Sequence, residues 1–364
     1  MRKAESGFSL VEMLVAMTVT VIVMGAVYGL IASGQNSFRR EPEMADRQQN
    51  IRIAMALIEQ DIESGGAGLP VTTQVFSTAL NGVGPQGTIG TPGAVARNGD
   101  PSINTDALEI VGTEDTCPAL SVCGLAGAVL QTREPLPTCV PRPGLVAITD
   151  NVTLSVQTVV NGGAAACPGA VGFTGDAAQN GSLNAGAALA PWTGALVPSS
   201  LSPAKPNNFL FTAKIARYRI GPSGEALEAL ANEPALWRSS SGIYTTAGAA
   251  VVEPGQPGFN PAAPGPWQLV ARGIEDLQLE YLYRNADTTL VWVNLPRAVV
   301  AADFTTVARA ARVTLSARAV AVNLQGQTPA GAGSGGRNAI RGQLARVVAP
   351  RASLMALQMN YQLR

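Results

Sequence analysis

Gly7-Phe8-Ser9-Leu10-Val11-Glu12 runs directly into Met13-Leu14-Val15-Ala16-Met17-Thr18-Val19-Thr20, and the twenty residues from Met13 to Ala32 carry no charge. At about 1.5 Å rise per residue, that run matches the roughly 30 Å hydrocarbon core of a bilayer. Arg2 and Lys3 precede it and a long chain follows it. Positive charge before the span orients the N-terminus towards the cytoplasm and the remainder towards the exported side. A secretory signal peptide cut near Ala32-Ser33-Gly34 is the plainer reading of the same residues. Two features oppose it. The apolar run exceeds the about 7–15 residues of a signal core. Glu12 also sits near its cytoplasmic end, where a signal peptide gains nothing from an acid.

Gly7, the aromatic Phe8, Glu12 four residues beyond it and a long apolar helix resemble the class III signal of type IV pilins and type II secretion pseudopilins. The resemblance implies that a membrane peptidase cuts between Gly7 and Phe8 and methylates the new N-terminal Phe8. Glu12 then becomes the fifth residue of the mature chain. A carboxylate in an apolar segment costs several kcal/mol, of order 2–4, unless it is paired or protonated. Among parallel, staggered helices the neighbour's free amine at Phe8 is a suitable cation, which makes Glu12 a candidate for registering subunits. Pairing of Glu12 with its own chain's amine is the alternative.

Beyond the span, Glu41-Pro42 is expected to interrupt or kink the helix. Met44, Ile51, Met55, Ile58 and Ile62 then recur at helical spacing, with Arg47, Arg52, Glu59, Asp61 and Glu63 assigned to other faces. Gly65-Gly66 reads as the stop signal. Helix from Phe8 to Glu63 would be about 80 Å long. Alternation at Val152–Gln157, Leu277–Tyr283 and Arg312–Ala319 predicts half-buried antiparallel strands. Shorter candidates are Leu108–Val111, Phe209–Ile220 and Leu344–Val348. Gly/Pro/Ala-rich stretches at 65–105, 160–206, 246–266 and 326–338 read as irregular loops. The expected fold is α+β and pilin-like: a long N-terminal helix packed on an antiparallel sheet with long loops. Its parts are a leader (1–7), a transmembrane helix (8–32), its amphipathic continuation (33–64) and an exported β-rich domain (65–364).

Residues 51–68 resemble the helix end of PilW-type minor pilins and the related GspJ-type pseudopilins. Asn104–Gly112, Ala216–Gly221, Ala235–Gly242, Leu269–Tyr283 and Ala308–Ala319 resemble that group's later strands in sequence order. The resemblance implies a structural subunit, anchored in the inner membrane with its C-terminal domain in the periplasm, then incorporated in a pilus at the cell surface. Implied partners are other major and minor pilins through the N-terminal helix, the prepilin peptidase and an inner-membrane assembly platform. The favoured role is a minor pilin that primes assembly or sits at the tip. The alternatives are a secretion pseudopilin, or a tip adhesin or DNA-uptake pilin.

Composition excludes much else. The chain has 364 residues, no His, and 25 basic against 25 acidic residues. Without imidazole, Ser-His-Asp hydrolysis, Cys-His proteolysis and most catalytic zinc sites disappear. Zero net charge argues against a general electrostatic grip on nucleic acid. Neither an enzyme nor a cofactor or metal is expected. Cys117, Cys123, Cys139 and Cys167 fall on the oxidising side, and their spacings match no zinc pattern. Four cysteines allow three pairings, of which Cys117–Cys123 with Cys139–Cys167 closes the shortest loops. Glu275-Asp276 reads as a solvated turn, and Arg309, Arg312 and Arg318 as ordinary solvent-exposed residues or partners in subunit salt bridges, with a basic stripe for DNA uptake as the lesser alternative.

Overall fold

The computed structural model describes residues 9–67, 69, 75–76, 105–113, 117–126, 129–132, 138–139, 144–149, 154–160, 182–193, 209–224, 233–240, 245–246, 249–250, 252–255, 258–294, 297, 307–319 and 341–351. Helix α1 runs unbroken from Leu10 to Ser64, 55 residues and about 80 Å. Ser9 caps it: its side chain accepts from the Val11 N–H at 3.3 Å. The Thr18 and Thr20 hydroxyls donate back to the Val15 and Ala16 carbonyls, which satisfies both inside the apolar run. Of the two outcomes expected at Pro42, interruption does not occur: Pro42 lies inside the continuous helix. Phe38 and Glu41 are exposed there, so water can solvate the carbonyl that loses its donor.

The helix stops where expected. The Gly65 N–H bonds the Ile62 carbonyl at 3.0 Å, and Gly66 takes a positive φ of 71°. A Cβ on Gly65 would lie 2.6 Å from the Val75 side chain, so only glycine fits this approach. The Gly66 N–H then bonds the Val111 carbonyl at 2.9 Å and ties the helix end to the first strand.

Among the described residues the strands that follow are β1 (Leu108–Thr113), β2 (Leu120–Ala126), β3 (Val129–Thr132), β4 (Gly144–Thr149), β5 (Leu154–Val160), β6 (Ser182–Thr193), β7 (Phe209–Pro222) and β8 (Pro234–Ser239), then β9 (Thr245–Thr246), β10 (Ala249–Ala250), β11 (Gln268–Arg272), β12 (Ile274–Arg284), β13 (Leu290–Val293), β14 (Ala310–Arg318) and β15 (Arg341–Val348). Every pairing among them is antiparallel. The long β7 is the trunk of the larger sheet. It pairs β8 near its end, β1 in its middle, and both β2 and β4 over Phe209–Thr212. Because β2, β3, β6, β5 and β4 also pair in that succession, these strands close into a ring through β7. The second sheet has the order β13-β12-β14-β15.

One buried cluster joins the helix to both sheets. Ile51, Met55, Ile58 and Ile62 of α1 share it with Leu108, Ile110, Tyr218, Leu236, Leu277, Tyr281, Val313 and Leu315. Phe76 meets Tyr281 edge to face at 5.0 Å. Full burial of each such side chain is worth roughly 1.5–3 kcal/mol. The helix–sheet core is therefore what fixes the direction of α1 relative to the domain.

Several expectations are corrected. The stretch 160–206 is not all loop, since β6 lies within it, and β10 lies within 246–266. Pairing supplies the reason: β3 and β5 flank β6 and complete its backbone hydrogen bonds whatever its Ala/Gly content. Glu275 and Asp276 are buried in β12 at a register shift, not in a solvated turn. The Arg341 Nε donates to Glu275 at 2.7 Å, and the Gln278 amide donates to Asp276 at 2.9 Å. Arg318 is buried, so no exposed stripe joins it to Arg312, which instead pairs Glu280 at 2.6 Å and stacks over Trp292.

The disulfide pairing is also corrected. Cys117 bonds Cys139, with Cα atoms 5.6 Å apart, which excludes both Cys117–Cys123 and Cys139–Cys167. The shortest loop does not close because β2 begins at Leu120 and carries Cys123 away along an extended strand. Cys167 lies outside the described residues.

Candidate functional site

The two halves of α1 have opposite surroundings. Leu10–Ile31 is 22 residues long with mean hydropathy 2.3, and none of it is buried by the domain. Ile22 is 71% exposed, whereas Ile58 is 0% exposed. A helix apolar on every face, held clear of its own domain, has its solvent in a membrane or in other helices. Glu12 is exposed in the first turn, where a carboxylate also complements the positive end of the helix dipole. Gly7 and Phe8, the expected cleavage and methylation positions, lie outside the described residues.

The second half is locked to the domain by a charge that the sequence reading put on another face. Asp61 is buried at the foot of the helix. The Arg238 Nε donates to its Oδ2 at 2.7 Å and Nη2 to its Oδ1 at 3.0 Å, while the Tyr218 hydroxyl donates to Oδ2 at 2.5 Å. These bonds raise Arg238 above its ordinary value, against the desolvation that lowers it. Tyr218 is raised chiefly by burial, and further by the Asp61 charge. The signal was present in the sequence: Asp61 is three residues after Ile58 and adjoins Ile62, on the flank of the apolar stripe.

Two further buried polar joints connect the strands. The Arg219 guanidinium donates to Glu109 at 2.7 Å and to Glu253 at 2.9 Å. Burial alone would lower Arg219, and the two carboxylates outweigh it. Asp106 accepts the Leu279 N–H at 2.7 Å, and burial followed by the nearby Asp276 charge leaves its carboxyl raised to about 6. A cleft of about 370 Å³ at the helix end is lined by Gln60, Ser64, Gly112, Lys214 and Arg238 among others. Lys214 there complements the negative end of a helix whose last turn has no basic residue. Among the described residues, no three His, Cys, Asp or Glu side chains group so as to hold a metal.

Residues 2–28 match the prokaryotic N-terminal methylation motif. The N-terminal segment is type IV prepilin-like. No curated protein matches the chain, and no solved structure does. The motif covers Glu12 and all but the last turn of the exposed span, so the part with no partner in its own domain is also the part that carries the match. Its architecture is α+β, with the N-terminal apolar helix joined to antiparallel sheets.

Proposed function

We propose that the chain is a minor pilin of a type IV pilus. On this reading the prepilin peptidase cuts between Gly7 and Phe8 and methylates Phe8. The span then holds the subunit in the inner membrane, with the β-domain in the periplasm, until the assembly platform passes it into the filament. Its role is structural: it packs against other pilins through α1 and primes assembly or caps the tip. The observation that supports this reading best is the exposure of Leu10–Ile31 on every face, continuous with a second half that packs one apolar stripe into its own domain.

Glu12 supplies the test. If its carboxylate pairs with a neighbour's Phe8 amine, Glu12→Ala spares cleavage and membrane insertion, because removing the acid relieves a desolvation cost. Incorporation fails instead, since the neighbour's ammonium is left unpaired among apolar helices, a loss of about 1–3 kcal/mol. Sheared pili are assayed for the variant beside its level in the inner membrane. Depletion from pili at an unchanged membrane level is expected. Incorporation equal to the native chain contradicts the register role, and absence of the native chain from pili contradicts the pilin reading itself.

A further inference from the structure

The end of the second sheet farthest from the apolar span carries a pair of cations with no acidic partner among the described residues. The strand β15 fixes which end that is. Its Gly342 lies against the Arg47 guanidinium of α1, and its Arg346 reaches Glu59 at 3.7 Å, so β15 runs away from the span towards Val348. Val348 pairs Ala311 of β14, and Ala310 pairs Leu282 of β12. The Arg309 N–H donates to the Leu282 carbonyl at 2.8 Å, which places the Arg309 backbone against β12 two residues before its last residue, Arg284.

Neither arginine has an acidic partner among the described residues. Glu280 is engaged by Arg312 at 2.6 Å, and Asp287 accepts from the Thr289 hydroxyl and N–H. Arg309 Nε is buried with no hydrogen-bond partner. Burial and then the Arg284 charge both disfavour its protonated form. A buried donor without an acceptor, beside a like charge, is a costly arrangement that a bound anion relieves. Leu290, the cross-strand partner of Arg284, is 62% exposed and offers an apolar surface next to the pair.

We propose that Arg284 and Arg309 bind a phosphate group at this membrane-distal end of the sheet. Two guanidiniums present separate forks, and a tetrahedral dianion with three acceptor oxygens neutralises both, whereas one carboxylate neutralises one. The phosphate is either the free ion or a monoester whose body rests on Leu290.

Calorimetric titration of the full-length chain in nonionic detergent at low salt decides the matter. Inorganic phosphate and phenyl phosphate are the probes and acetate the control. Saturable binding of both phosphates is expected, with acetate weaker by about tenfold or more. Phenyl phosphate binding more tightly than inorganic phosphate assigns a monoester on an apolar body, and equal affinity assigns the free ion. Arg284→Ala, at a half-exposed position, should lose at least about tenfold. Arg312→Ala, a neighbouring cation already paired with Glu280, should bind as the native chain does. No saturation by either phosphate overturns the site, as do unchanged binding by Arg284→Ala, equal losses in both variants, or acetate binding as well as phosphate.

Discussion

Leu10–Ile31 and Ile51–Ile62 belong to one helix, yet the same side-chain chemistry does different work in each. In the second stretch the apolar residues form one stripe, and that stripe is consumed by the domain's own core. In the first they occupy every face, and the domain covers none of them. Continuous backbone thus joins a segment that specifies the fold to one that contributes nothing to it. A substitution should therefore report on the domain or on the assembly, depending only on which side of Pro42 it falls.

The largest expected effect is at Asp61. Asp61→Ala leaves the Arg238 cation and the Tyr218 hydroxyl without their acceptor and should destabilise the domain by about 3–5 kcal/mol. Chemical denaturation followed by tyrosine and tryptophan fluorescence measures it, while membrane insertion stays unchanged. Next comes a matched pair along the helix. Ile58→Ala should cost about 2–5 kcal/mol, and Ile22→Ala less than about 0.5 kcal/mol in the same assay. Equal costs would erase the distinction between the halves.

A third effect, smaller than those at Asp61 and Ile58, is a pH dependence at Asp106, whose ordinary value is 3.8 and whose carboxyl is raised to about 6 in the fold. Between those values the folded state binds more protons than the unfolded one, so this group's contribution falls as pH rises from about 4 to about 6. Asp106→Asn keeps an acceptor for the Leu279 N–H and removes the charge. The variant should be more stable than the native chain at pH 7, by about 1–3 kcal/mol, with the gap closing towards pH 4. A gap independent of pH would show that the Asp106 charge is not what burial opposes.

How much of this was legible in the sequence follows from which interactions are local. Helical period and charge exclusion are properties of neighbouring residues, so the span, the stripe through Ile51, Met55, Ile58 and Ile62, and the stop at Gly65-Gly66 could all be read directly. The alternation of Leu277, Leu279, Tyr281 and Tyr283 likewise marked β12. Long-range partners could not be read. Asp61 lies 177 residues from Arg238, and nothing near it announces a buried cation. Glu275 waits on Arg341 in the same way. The strand β6 exists because β3 and β5 flank it, and Cys117 meets Cys139 because β2 leads Cys123 elsewhere.

The central claim is that the exposed half of α1 is a processed assembly surface beginning at Phe8. Intact-mass measurement of the membrane-extracted chain tests it most directly, with Gly7→Val alongside. The account predicts a mature chain that starts at Phe8 and carries one added methyl group, and a Gly7→Val variant that keeps its leader and lacks the methyl. A chain starting near Gly34 or Gln35 would contradict it, because the span would then be a removed signal peptide and no pilin-like subunit would remain.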